Sequence, residues 1–195
     1  MWKDIMKINS LLLITGNAGK LEEFKNLLNI PGFKMNYKSL DVPEIQSLDI
    51  GEIGHFKTKA VLECVQEIDN YDAVITDDTS LSCKTLNGLP GPLIKWFLKS
   101  IGREGILDLV NNKDNTTTVT CLLTLGILKN RQMMQFQGDV KGKLVSPQGN
   151  RGFGWDQIFL PDGFDKTYGE MDPDQKNTIS HRALAVQKFR EWLLN

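Results

Sequence analysis

Residues 118–127, Thr-Val-Thr-Cys-Leu-Leu-Thr-Leu-Gly-Ile, decide the fold class. Val119, Cys121, Leu123, Leu125 and Ile127 alternate with Thr118, Thr120 and Thr124, the period-two pattern of a long strand with one buried face. The turn at Lys129-Asn130-Arg131 and the run 133–140 complete a hairpin, and residues 142–145 read as a further short strand. An antiparallel hairpin excludes a purely parallel, doubly wound sheet. Upstream the periods alternate. Leu11 to Thr15 is an apolar run ending at Gly16, which predicts a buried strand, and Leu21, Phe24, Leu27 and Leu28 then recur at helical spacing. From Glu52 a second helix places Ile53, Phe56, Ala60, Val61, Cys64, Val65 and Ile68 on one face. Residues 73–76 predict another buried strand, 93–101 and 105–110 two helices, and 149–163 an irregular glycine-rich loop. A last helix carries Ile179, Ala183, Val186, Phe189 and Leu193. The expectation is a mixed α/β fold, a central mixed β-sheet with flanking helices. No linker or repeat divides it, so residues 1–195 read as one domain.

Composition narrows the function classes. Hydrophobic residues at 41% and charged residues at 24% exclude collagen-like, disordered and coiled-coil chains. Lys and Arg total 23 against 24 Asp and Glu, so the formal net charge of -1 argues against an extended basic surface for nucleic-acid polymers or anionic membranes. Cys64, Cys83 and Cys121 form no CxxC pair, which leaves neither a disulfide framework nor a cysteine zinc site. Reduced thiols point to the cytoplasm. The apolar run 11–14 is too short for a signal segment or a spanning helix.

Several segments could carry chemistry. Thr15, Gly16, Asn17, Ala18, Gly19 and Lys20 join a strand to a helix start, where unpaired N–H groups and the helix dipole attract phosphate. A glycine connector with no ligand has the same form. It is not a Walker A loop, since Ile14 stands in place of the first glycine and Leu21 in place of the Ser or Thr that holds magnesium. Asp77-Asp78-Thr79 follows the predicted strand; side chains alternate there, so the aspartates point different ways, one able to reach a metal while the other supports the loop or caps it, and a plain helix N-cap has the same form. Glu44 after Pro43 is a second carboxylate, and two carboxylates suffice for Mg²⁺ if the fold joins them. Lys57 sits inside the apolar stripe of its helix, either snorkelling to water or meeting an anion in a cleft, whereas Lys95 lies on a polar side. Phe153-Gly154-Trp155-Asp156 combines two aromatic faces with a carboxylate, suited either to a nucleobase or to plugging a core. His181 and Arg182 open the last helix, where positive charge is unfavourable without an anion nearby. A Ser-His-Asp hydrolase finds no GxSxG elbow, and two histidines do not support a zinc centre.

Together these segments resemble the inosine triphosphate pyrophosphatase, or Ham1-like, family, most closely its eukaryotic members. The matching stretches are TGNAGKLEEF from Thr15, DVPEIQ from Asp41, DDTSLSCKTLNGLPGPLIKWFL from Asp77, FGWDQIF from Phe153, and Thr167 through Arg182. The resemblance implies an elongated fold of two lobes around a nucleotide cleft, a homodimer, and hydrolysis of ITP, dITP and XTP to the monophosphate and pyrophosphate. It also implies roles: Thr15, Asn17 and Lys20 on the triphosphate, Glu44 and Asp78 on Mg²⁺ (with Mn²⁺ as an alternative), and Lys57 and Lys95 on phosphate. Asp78 would take the proton of water with Asp77 in support, beside Thr79, while Phe153 to Asp156, Lys176, His181 and Arg182 would surround the base. Asp77 stands where close relatives often have Glu, Gln157 where many have Pro, and Gly169 where Ala is usual. A nucleotide sensor using the same loop, or a pyrophosphatase for pyrimidine nucleotides, are the competing expectations.

Overall fold

The computed structural model describes residues 8–64 and 68–194, without the Cys64 side chain; Val65 of the predicted stripe lies outside the described residues. The chain runs β1 (Ser10–Ile14), α1 (Ala18–Leu27), β2 (Lys34–Lys38), α2 (Ile50–Cys64), β3 (Ala73–Cys83), β4 (Pro90–Gly91), α3 (Ile94–Val110), β5 (Thr116–Ile127), β6 (Met133–Leu144), β7 (Phe159–Pro161), α4 (Pro173–Ile179) and α5 (His181–Leu194). The strands form one sheet in the order β2-β1-β3-β5-β6-β7, with β4 attached to β3. β1 is parallel to β2 and β3, and every other pairing is antiparallel. The decisive hairpin pairs Gly126 with Met133 and Thr116 with Lys143.

Four expectations are corrected. β3 does not end at Thr76 but continues through Asp77-Asp78-Thr79 to Cys83, paired with β5 throughout, so the aspartates are strand residues and cap no helix. The segment 142–144 belongs to β6 and is no separate strand. The loop 149–163 contains a 3-10 turn at Asp156–Ile158 and the strand β7. The last helix is two, because Ser180 is extended (φ -69°, ψ 156°); its Oγ accepts the Ala183 N–H at 3.1 Å and caps α5.

Strand alternation sorts the core by face. Leu11 and Leu13 of β1 with Ala73 and Ile75 of β3 pack against Phe24 of α1 and Phe189 of α5. Leu12, Ile14 and Val74 face the other way, onto Val61 and Leu62 of α2. Farther along β3, Leu81 and Cys83 join Ile94 and Ile106 of α3, Trp155, Phe159 and Tyr168. The same alternation puts Asp77 on the α1 and α5 side and Asp78 on the α2 side.

Helix α5 is seated on β6 at Gly138, where an added Cβ would lie 2.1 Å from the His181 carbonyl oxygen and 2.6 Å from the Ala185 nitrogen. Backbone cannot yield cheaply. Gly138→Ala is expected to lower unfolding stability by about 2 kcal/mol, read as a lower urea midpoint at unchanged slope; an unchanged midpoint would refute this seating.

Candidate active site

Turn chemistry shapes the start of α1. The Thr15 hydroxyl accepts from Asn17 N–H at 3.2 Å, and Asn17 Oδ1 caps the helix by accepting from Lys20 N–H at 3.1 Å. Gly16, Asn17 and Ala18 are exposed; Gly19 carries the ring of Phe153, since a Cβ there would fall 2.3 Å from its Cδ1. Lys20 reaches across to β3, donating to both the carbonyl and Oδ1 of Asp77 at 2.9 Å.

On the α1 and α5 face the charges form one chain. Arg182 Nε donates to Asp77 Oδ2 at 2.6 Å and its Nη2 to Asp77 Oδ1 at 3.3 Å and Thr79 Oγ1 at 3.2 Å, while Nη1 pairs with Glu23. Lys176 Nζ bridges Glu23 Oε1 at 2.6 Å and Asp156 Oδ2 at 2.7 Å, and that Asp156 oxygen also accepts the Phe153 N–H at 2.7 Å. Burial opposes the charge on Asp77, but Arg182 and then Lys20 outweigh it and hold the carboxyl well below its usual range. Glu23 is held low in the same way, against burial, by Arg182 and Lys176. At Asp156 burial wins over Lys176 and pushes the carboxyl up.

The aromatic residues divide. Phe153 is half-buried, with Lys176 Nζ 5.2 Å from its ring centroid. Trp155 is 6% exposed and packs in the core against Phe159 and His181. The His181 ring stacks on Tyr168, has no hydrogen-bond partner at either nitrogen among the described residues, and is kept neutral by burial, then by Arg182 and Lys176.

On the α2 face, Lys57 Nζ lies 2.9 Å from both Glu44 Oε1 and Asp78 Oδ1. The stripe lysine therefore meets anions. Burial would lower its pKa, yet Asp78 and then Glu44 raise it to about 12. Glu44 is pulled down, against burial, by Lys57, Lys95 and Lys20, so the fields of three lysines converge on it. Lys95 itself is exposed over Trp96. Asp78 Oδ2 is buried with no hydrogen-bond partner among the described residues. At Gly54 a Cβ would fall 2.4 Å from Thr124 Oγ1, so glycine lets α2 pack closely on β5 beside that oxygen.

Two residues escaped the sequence reading. Glu23 looked like a surface charge of α1, and its signal was the three-residue spacing from Lys20 that puts both on one helix side. Arg103 had none; it binds the loop at Gly154 and Gln157.

Residues 11–192 match the profile of the Ham1 family. The chain belongs to that family. It is 39% identical to an inosine triphosphate pyrophosphatase of Schizosaccharomyces pombe, covering 95% of this chain and 96% of the relative. It is 37% identical to one of Scheffersomyces stipitis, covering 96% and 100%. A Ham1 protein of Staphylococcus aureus superposes with a TM-score of 0.78 at 25% identity, covering 94% and 97%. A Coxiella burnetii HAM1 protein gives 0.78 at 22% identity, covering 95% and 98%. The Ham1 fold thus agrees with the mixed sheet read from the hairpin. Among the described residues, no helix is long and apolar enough to cross a membrane, and no group of three or more His, Cys, Asp or Glu could hold a metal ion.

Proposed function

We propose that this Ham1-family chain hydrolyses ITP, dITP and XTP to the nucleoside monophosphate and pyrophosphate. The observation that carries the reading is Lys57 held between Glu44 and Asp78, with Lys20 and Lys95 close enough to act on Glu44. The relatives' name, inosine triphosphate pyrophosphatase, supports it over nearly the whole chain. The core built on α1, α2 and α5 would form one lobe and that built on α3 and β7 the other, with the nucleotide between, in a cytoplasmic homodimer.

Glu44 and Asp78 suit a Mg²⁺ site: two carboxylates, one with a buried oxygen, Oδ2, that has no hydrogen-bond partner among the described residues. When bound, the ion supplies charge neutralisation and acidification of water. The Asp78 carboxylate takes the proton of the attacking water. The water oxygen bonds to the α-phosphorus, the bond to the oxygen bridging to the β-phosphorus breaks, and its electron pair leaves with pyrophosphate. Lys20, Lys57 and Lys95 stabilise the growing charge on that leaving group, while residues 15–19 cradle the phosphates with helix-start N–H groups.

Selectivity follows from hydrogen-bond direction. A 6-keto purine accepts where adenine donates, so donors at the base reject ATP. The Arg182 guanidinium has five N–H groups, and its bonds to Asp77, Glu23 and Thr79 engage four of them. The backbone N–H groups of Gly154 and Trp155 are further donors, since those of Phe153 and Asp156 are engaged within the loop. Such a site rejects the wrong analogue by about 10⁴-fold.

The test is pyrophosphate release across a panel of nucleoside triphosphates, with Mg²⁺ and with chelator. ITP and XTP should release pyrophosphate only with the metal, with kcat/KM about 10⁴-fold above ATP. Metal-dependent binding without release from any triphosphate would replace the enzyme by a nucleotide sensor.

A further inference from the structure

The loop Phe153–Asp156 is fastened on its inner side by Asp156, which holds Phe153 N–H and Lys176, and by Trp155 sunk in the core. Its outer side is fastened by α3. That helix breaks at Gly102 (φ 70°, ψ -172°), and the next residue, Arg103, turns to the loop. Arg103 Nε donates to the Gly154 carbonyl at 2.7 Å, and Nη1 donates to Gln157 Oε1. Leu98 supports the same spot, since a Cβ on Gly154 would meet its Cδ1 at 3.6 Å. No role assigned above uses Arg103.

We propose that Arg103 is a positioning residue for base recognition, clamping Gly154 and Gln157 to α3 so that the loop presents its donors in one orientation. The proposal rests on the reading of residues 153–156 as the base site. Gly152 (φ 72°) and Gly154 (φ 60°) sit in left-handed backbone regions, where glycine supplies no side chain to restrain the peptides between them. In a trans peptide the C=O and N–H point in opposite directions. Fixing the Gly154 carbonyl on Arg103 therefore aims the Trp155 N–H away from α3. Gln157 completes the clamp: proline, expected there from the family resemblance, would offer no side-chain acceptor. A planar guanidinium can hold both acceptors at once, which an ammonium cannot do with the same geometry.

Arg103→Met should raise KM for ITP about tenfold and narrow the ITP to ATP ratio of kcat/KM. The kcat and the Mg²⁺ concentration for half-maximal rate should stay within about twofold, because the clamp touches neither carboxylate. Gln157→Met keeps the backbone bond from Gln148 N–H to the Gln157 carbonyl at 2.9 Å and should give a smaller rise, so it serves if Arg103→Met folds poorly. The double variant should be no worse than Arg103→Met alone, since both break one clamp. Arg103→Lys should recover part of the KM. Phe153→Ala separates the two readings. If it raises KM while both clamp variants leave KM and selectivity unchanged, the clamp is refuted and the base site stands; if none of them moves KM, the base site falls and the clamp with it. Equal losses of kcat and thermal stability at constant KM and selectivity would make Arg103 merely structural and overturn the proposal.

Discussion

Asp78→Asn is expected to leave a folded protein whose kcat for ITP is lower by about 10³-fold or more. Asparagine keeps the volume and can keep one acceptor oxygen toward Lys57, which now sits 2.9 Å from Asp78 Oδ1. The other position becomes an amide, a donor with no basic lone pair, where Oδ2 is now a buried acceptor without a partner. That atom can neither take a proton from water nor help hold a cation. Lys57 retains Glu44 at 2.9 Å, so its charge stays paired and the stability loss should be about 1 kcal/mol. Lys57 gains most of its elevated pKa from Asp78; in the variant it should fall back toward the ordinary lysine value but remain protonated at neutral pH. Single-turnover ITP hydrolysis and urea denaturation on the same preparation check both halves. Turnover near wild type would remove Asp78 from the chemistry, and an unfolded variant would show that its charge is structural.

The hairpin was legible because its period is strong, with five apolar residues alternating in β5, whereas the stripe of α2 was legible only in part: Ile53 and Val61 are buried, but Phe56 is exposed, and Thr58 and Leu62, outside the stripe, are buried. Alternation also correctly separated Asp77 from Asp78. It could not show that β3 continues through both, since adjacent charges disfavour a strand, and the cations that compensate them come from α1, α2 and α5, remote in sequence. β2 was illegible for another reason. Lys34–Lys38 is largely exposed and has no buried side chain, and it holds its place at the sheet edge through backbone pairing with β1. β7 is three residues long, too short for any period. Glu23 and Arg103 resembled the solvated charges of ordinary helices, and only tertiary packing distinguishes a buried bridge from a surface residue. Glu44 and Asp78 were legible as candidate carboxylates, but their meeting at Lys57 required the fold.

Asp77→Ala is expected to cost about 3–5 kcal/mol of unfolding stability. The carboxylate is 4% exposed and is shared by Arg182, itself 1% exposed, and Lys20. Removing it leaves Arg182 with Glu23 alone and Lys20 without its carboxylate, so positive charge is stranded beneath the sheet. The pH dependence gives the sign. Asp77 titrates below its unfolded value because Arg182 and Lys20 outweigh burial. Its contribution is therefore complete above the unfolded pKa, about 4, and is lost as the pH falls toward the folded value. The gap between wild type and variant should be full at pH 7, begin to shrink only below about pH 4, and close as the pH reaches the folded value far below that. Urea midpoints at pH 7 and pH 3 measure this; a gap under about 1 kcal/mol at pH 7, or one wider at pH 3 than at pH 7, would defeat it. The outcome bears on chemistry too. Both oxygens of Asp77 are engaged by cations, so in the proposed reaction its support would act through Arg182 and Lys20, which it holds in place. Asp77→Asn, which keeps the volume and one acceptor, should then raise KM for ITP more than it lowers kcat, the reverse of Asp78→Asn.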